Sequence, residues 1–272
     1  MAVVRLTGLF DVDRAVIGTW LKLDTCETVE IAAAAGLDFV IIDLEHALIS
    51  TRTLTAMLAI AEALALPVLV RVPDHSGVMA KVVLDNGAAG IVVPSVETVA
   101  EAESVVSGIR FPPVGRRGLS TSARAGRWGQ VEHSAYMGSQ NRDTALLVQI
   151  ESPRAVQEAT RIGAVPGVDG LLIGPADLSA SLWPAGPDRV ATLLETLEKS
   201  CAENGIYLGT AAGQDVQQAR RLLRRGYRML AMSSDAVLLR HAASALRTGL
   251  VRTDGYEQQL FSGEEATDER LT

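Results

Sequence analysis

Apolar runs of strand length recur along this chain, separated by stretches in which apolar positions return every three or four residues. Residues 15–23 read as a strand, and 25–35 as a helix that stops at Gly36. The pair repeats at 39–44 and 52–64, at 67–72 and 77–85, and at 90–94 and 97–107, with Asn86-Gly87 closing the third helix. After an interruption it resumes at 145–150 and 153–162, 170–173 and 188–204, 206–210 and 215–225, and 228–232 and 237–247. Short apolar strands alternating with amphipathic helices mark βα units and a parallel sheet. Eight such units predict an α/β fold, a single-domain (β/α)8 TIM barrel spanning residues 1–250. An open doubly wound sheet is the alternative, but no G-x-G-x-x-G opens a helix after an early strand.

The interruption, residues 108–143, is rich in Gly, Pro, Arg and Ser and predicts a long loop with short helical pieces. Loops of that length inside a compact domain are commonly functional or mobile. Residues 251–272 read as a polar, acidic C-terminal tail without a clear period.

Composition narrows the function classes. Of the 272 residues 48% are hydrophobic but only 4% aromatic, so aliphatic side chains must fill the core, as parallel strands under helices require. A formal net charge of −7, with arginine pairs scattered along the chain, argues against a nucleic-acid partner. No apolar run is long enough to span a membrane, and the N-terminal residues Arg5, Asp11, Asp13 and Arg14 break any signal-like stretch. Cys26 and Cys201 have no metal-like spacing and fit a reducing, cytoplasmic setting.

In a barrel of this type the chemistry sits at the C-terminal ends of the strands. There the sequence places Asp43-Leu44-Glu45-His46, Arg71, Gln149 with Glu151, and Gly174-Pro175-Ala176-Asp177. Charges that directly follow apolar strands must be paired, hydrogen-bonded or metal-bound. Glu151 and Asp177 offer hard oxygens suited to Mg²⁺ or Mn²⁺, or each caps the helix that follows it. His46 is placed for general-base work, or is a packed side chain. Arg71 fits a substrate oxyanion, a salt bridge to Asp43, Glu45 or Glu151, or both. Gly174-Pro175-Ala176 offers N–H donors from Gly174 and Ala176 for a carboxylate, or is a plain turn. Lys22, ending the first strand, is either an imine-forming nucleophile or a surface lysine.

Five segments in order, IIDLEHALIS (41–50), LVRVP (69–73), LDNGAAGIVVPSVET (84–98), VQIESPRAV (148–156) and IGPADLSASL (173–182), resemble the HpcH/HpaI aldolase family of class II pyruvate aldolases. The resemblance implies reversible cleavage of a 4-hydroxy-2-oxo acid to pyruvate and an aldehyde. It implies a divalent ion (Mg²⁺, Mn²⁺ or Co²⁺) on Glu151 and Asp177, no organic cofactor, and a homo-oligomer, trimer or hexamer. It casts His46 as acid/base, Arg71 as the group stabilising the enolate, and Asp85 as the residue orienting His46. Gln149 and the backbone at Gly174, Ala176 and Asp177 would contact pyruvate.

Some positions depart from the family pattern: Ala47, Asn86 and Trp183. Trp183 follows the Asp177 segment and is expected to narrow the pocket on the aldehyde side. Arg117 is either a contact for a distal carboxylate or an exposed loop arginine. Three rival readings use a similar pocket: oxaloacetate decarboxylation or carbon–carbon bond formation through the same enolate, acyl-CoA chemistry, or non-catalytic oxo-acid binding.

Overall fold

The computed structural model describes residues 15–252. Its strands are β1 (Val16–Leu21), β2 (Phe39–Asp43), β3 (Val68–Arg71), β4 (Gly90–Val93), β5 (Ala145–Ile150), β6 (Gly170–Ile173), β7 (Leu208–Ala212) and β8 (Met229–Ser234). They form a closed barrel in chain order, every neighbouring pair parallel, with β8 returning to β1. Parallel neighbours need a crossover. It is supplied by α1 (Glu27–Ala34), α2 (Thr51–Ala63), α3 (Val78–Asp85), α4 (Val99–Ile109), α5 (His133–Asp143), α6 (Pro153–Gly163), α7 (Pro175–Ser181), α8 (Pro187–Glu203) and α9 (Val216–Arg224). A last helix, α10, spans Asp235–Arg252.

Both faces of each strand are covered, which is why the strands read as unbroken apolar runs. On β2, Phe39 and Ile41 belong to the cluster filling the barrel, with Leu69, Leu147, Leu172 and Met229. Their neighbours Val40 and Ile42 belong to the layer packed under the helices. The interior is crowded enough that Gly90 has no substitute: an added Cβ would stand 2.5 Å from the Ala145 carbonyl oxygen and 2.7 Å from Leu69 Cδ2.

The predicted interruption holds more structure than its composition suggests. A 3-10 segment, Arg124–Gly129, with Arg127 and Trp128 at positive φ, leads into the eleven-residue α5. Only Tyr136 and Asp143 of α5 are buried, so it lacks the apolar stripe that would have revealed it. The helix is held instead by its Glu132 cap on Ala135 N–H and by Asn141, which bonds the Phe111 N–H and C=O.

Residues 15–235 form one compact unit, and α10 from Ala236 onward belongs to a second. The helix continues to Arg252, five residues past its predicted end, and the rest of the expected tail lies outside the described residues. Among those residues no helix is long and apolar enough to cross a membrane.

Candidate active site

Two-residue alternation carries polar side chains into the barrel mouth. Asp43 follows Phe39 and Ile41 on β2, Arg71 follows Leu69 on β3, and Gln149 follows Ala145 and Leu147 on β5. All three are buried, Asp43 completely. A carboxylate so placed must have its charge met. Arg71 Nε donates to Asp43 Oδ1 at 2.9 Å and Nη2 to Oδ2 at 2.7 Å. Lys22 Nζ lies 3.0 Å from Oδ2, and the peptide N–H groups of Glu45 and His46 donate to Oδ1 at 3.1 and 3.2 Å. Burial alone would raise the Asp43 carboxyl. The Arg71 hydrogen bonds and charge, with Lys22 and the His46 N–H, outweigh it and hold the group at about 2.

Arg71 is fixed on its other sides as well. Its guanidinium stacks 4.5 Å from the Trp20 ring centroid. Its Nη1 lies 2.9 Å from Glu45 Oε2 and donates to Gln149 Oε1 at 3.5 Å. Burial pushes the Glu45 carboxyl above its usual range, against the pull of Arg71 and His46.

A second group gathers around Glu151, just past β5. Ser95, at φ +56° after β4, donates from its N–H and Oγ to Glu151 Oε1 at 2.8 and 2.9 Å. Gln149 Nε2 donates to Glu151 Oε2. Gly174 leaves them room: a Cβ there would stand 2.9 Å from Gln149 Nε2 and 3.3 Å from Glu151 Cβ. Helix α7 starts at Pro175, where a missing N–H costs no hydrogen bond, and carries Asp177 in its first turn. Glu45, His46, Ser95, Glu151, Asp177 and Ser181 line one cavity of about 330 Å³.

The donors fit a hard divalent cation. Four carboxylates, Glu45, Glu97, Glu151 and Asp177, line one cavity; Glu45 and Glu97 are ion-paired with Arg71 and Arg154, and no described group pairs with Asp177. Among the described residues no cluster of three or more His, Cys, Asp or Glu side chains is placed to hold a metal.

Several sequence expectations meet here and others do not. His46, Glu151 and Asp177 share the cavity, with Arg71 and Gln149 bonded behind it. Arg71 takes Asp43 and Glu45 as partners, while Glu151 is held by Ser95 and Gln149. The Gly174 N–H is spent on the Ile150 carbonyl at 3.0 Å, so it is no donor for a substrate carboxylate. The donors left at that end are the first-turn N–H groups of α7, at Ala176 and Asp177. Lys22 is ion-paired with a buried carboxylate rather than poised as a free amine.

Asp85 ends α3, a helix that runs back toward the N-terminal ends of the strands, whereas His46 follows the C-terminal end of β2. Within this chain the expected Asp85–His46 pair is not formed. Asp85 instead accepts from Arg117 Nη2 at 2.5 Å, and His46 Nε2 has Glu45 Oε2 at 3.7 Å. Arg117 is neither exposed nor at the pocket: it is 4% exposed and lies 4.6 Å from the Phe111 ring centroid. Trp183 is 84% exposed and is not part of the cavity wall.

Sequence reading passed over Trp20 and Ser95. The first was legible from alternation in β1, where Val16 and Trp20 share the inward face. The second carries no sequence signal, because the left-handed turn that aims it depends on the assembled barrel.

The HpcH/HpaI aldolase/citrate lyase family profile matches residues 16–242. A 2-keto-3-deoxy-L-rhamnonate aldolase from Salmonella gallinarum is 41% identical over 234 residues, 83% of this chain and 85% of that protein. An HpcH/HpaI aldolase from Desulfitobacterium hafniense has a similar solved structure, with TM-score 0.84 and 28% identity over 92% of this chain and 96% of its own. An HpcH/HpaI aldolase/citrate lyase family protein from Burkholderia cenocepacia gives TM-score 0.81 and 36% identity over 90% and 98%.

Proposed function

The chain belongs to the HpcH/HpaI aldolase/citrate lyase family and is a lyase, and we propose that its pocket reversibly cleaves a 4-hydroxy-2-oxo acid into pyruvate and an aldehyde. The observation that carries this reading is the meeting of Glu151, Asp177 and His46 on one cavity at the barrel mouth. The name of the Salmonella relative supports a 2-keto-3-deoxy sugar acid as the substrate class.

Glu151 and Asp177 would hold Mg²⁺, Mn²⁺ or Co²⁺, which supplies Lewis-acid polarisation of the 2-oxo group. The remaining work falls to the chain itself. His46, half-exposed on the cavity wall, takes the proton of the 4-hydroxyl as the carbon–carbon bond breaks to aldehyde and enolate. A proton returned through His46 or from water to C3 of the enolate completes pyruvate, and the reverse direction runs the same transfers backwards. Arg71 presents Nη1 on the side of Gln149, adding positive charge where negative charge develops on the oxo oxygen. The N–H groups of Ala176 and Asp177 receive the substrate carboxylate.

A homo-oligomer, trimer or hexamer, belongs to the same reading. Helix α10 exposes Leu238, Leu239 and Leu246, apolar surface that association would cover. The free thiols Cys26 and Cys201 support a cytoplasmic setting.

The test is proton–deuterium exchange at the pyruvate methyl group with Mn²⁺ or Mg²⁺, then with EDTA, followed by cleavage of 2-keto-3-deoxy-L-rhamnonate. Exchange that EDTA abolishes, with pyruvate released from the sugar acid, is the expected result. No exchange by folded protein with any divalent ion would remove the reading.

A further inference from the structure

We propose that Ser95 is a positioning residue that presets the Glu151 carboxylate for one-atom ligation of the metal through Oε2. The inference rests on the metal-dependent reading above and concerns a residue to which that reading gives no role.

A carboxylate has four acceptor sites, two on each oxygen. Glu151 Oε1 accepts from both the Ser95 N–H, at 2.8 Å, and the Ser95 Oγ, at 2.9 Å. That oxygen is filled. Among the described residues Oε2 accepts only from Gln149 Nε2, so one site remains on it. Glu151 and Ser95 both line the cavity that Asp177 enters from α7. The free site on Oε2 is thus the one left for a cation, and the carboxylate cannot rotate to offer both oxygens without breaking two hydrogen bonds.

The backbone supports a functional cause. Ser95 sits at φ +56°, in the left-handed region that glycine occupies without strain and side-chain-bearing residues avoid. What serine has there and glycine lacks is the hydroxyl, and that hydroxyl lies on Glu151. The left-handed turn directly after β4 lets the N–H and Oγ of one residue converge on a single oxygen. Groups that orient a metal ligand commonly change affinity by about 10- to 100-fold when removed.

The experiment is calorimetric titration of Mn²⁺ into wild type, Ser95→Ala, Ser95→Gly and Glu151→Gln, with thermal unfolding of each metal-free protein. Glu151→Gln is expected to lose Mn²⁺ binding. Both Ser95 variants are expected to bind Mn²⁺ about 10-fold or more weakly, with metal-free unfolding close to wild type. Ser95→Gly also relieves the left-handed strain, so it remains informative if Ser95→Ala folds poorly. Wild-type affinity in both variants overturns the proposal. So does a loss in Ser95→Ala that Ser95→Gly restores, because the backbone rather than the hydroxyl would then be responsible. Failure of wild type to bind Mn²⁺ overturns the underlying reading, and this inference with it.

Discussion

Arg71 grips Asp43 with two parallel hydrogen bonds, of 2.9 and 2.7 Å, on a carboxylate that has no solvent exposure. The two residues face each other in the register between β2 and β3, so the pair is built into the wall of the barrel. Breaking a buried pair from one side strands the other charge. Asp43→Ala should lose about 3–5 kcal/mol of unfolding free energy by denaturant titration. A loss under 1 kcal/mol would mean that Lys22, Glu45 and water compensate fully.

The same pair sets a pH dependence. The folded carboxyl, at about 2, lies below its ordinary 3.8, so its stabilising contribution is fully present above that ordinary value. It is lost as pH falls from there through about 2. The stability gap between wild type and Asp43→Asn should therefore shrink by roughly 2 kcal/mol between pH 5 and pH 2. A gap that stays constant over that window would contradict the assignment.

Arg71→Lys tests shape against charge. Lysine keeps the positive charge but cannot reproduce the two-pronged contact with Asp43 or the stacking on Trp20. Pyruvate methyl exchange should fall about 100-fold or more while the protein stays folded. Near-wild-type exchange would show that a point charge is enough.

His46→Gln should separate binding from proton transfer. His46 lies on the cavity wall but is not one of the two carboxylates assigned to the metal. Mn²⁺ affinity should stay within a few-fold of wild type, while aldol cleavage falls about 10²- to 10⁴-fold. Equal loss of both would make His46 a ligand rather than the acid/base.

Gly174→Ala probes the space between two strands. Its Cβ would stand 2.9 Å from Gln149 Nε2 and 3.3 Å from Glu151 Cβ, so both side chains must shift. Mn²⁺ binding should weaken measurably in a protein that still folds. Unchanged affinity would show that Glu151 tolerates displacement.

Much of the fold was legible because a strand buried on both faces needs an apolar run, and such runs stand out. The predicted bounds of β5 and β6 coincide with the observed ones. The sequence places β7 two residues early, since Ile206 and Tyr207 prolong its apolar run. Ile206 instead packs against Gly163 of α6, where an added Cβ would meet it at 2.8 Å. The sequence pattern assigns no helix between residues 173 and 188, because the seven residues of α7, beginning with Pro, are too few to show a helical period.

From sequence alone came the eight strands, their order, and the charged residues at their C-terminal ends. Those follow from local pattern: an apolar run declares a buried strand, and a charge at its end declares a mouth. Which charge meets which was decided only by barrel closure. Arg71 reaches Asp43 across 28 residues of chain and Gln149 across 78, while Ser95 reaches Glu151 across 56. Strand register sets the first, because Asp43 and Arg71 stand opposite one another on the parallel neighbours β2 and β3, and closure of the barrel brings the ends of β3, β4 and β5 together for the others. Register emerges from packing the whole interior, so no single segment of sequence carries it.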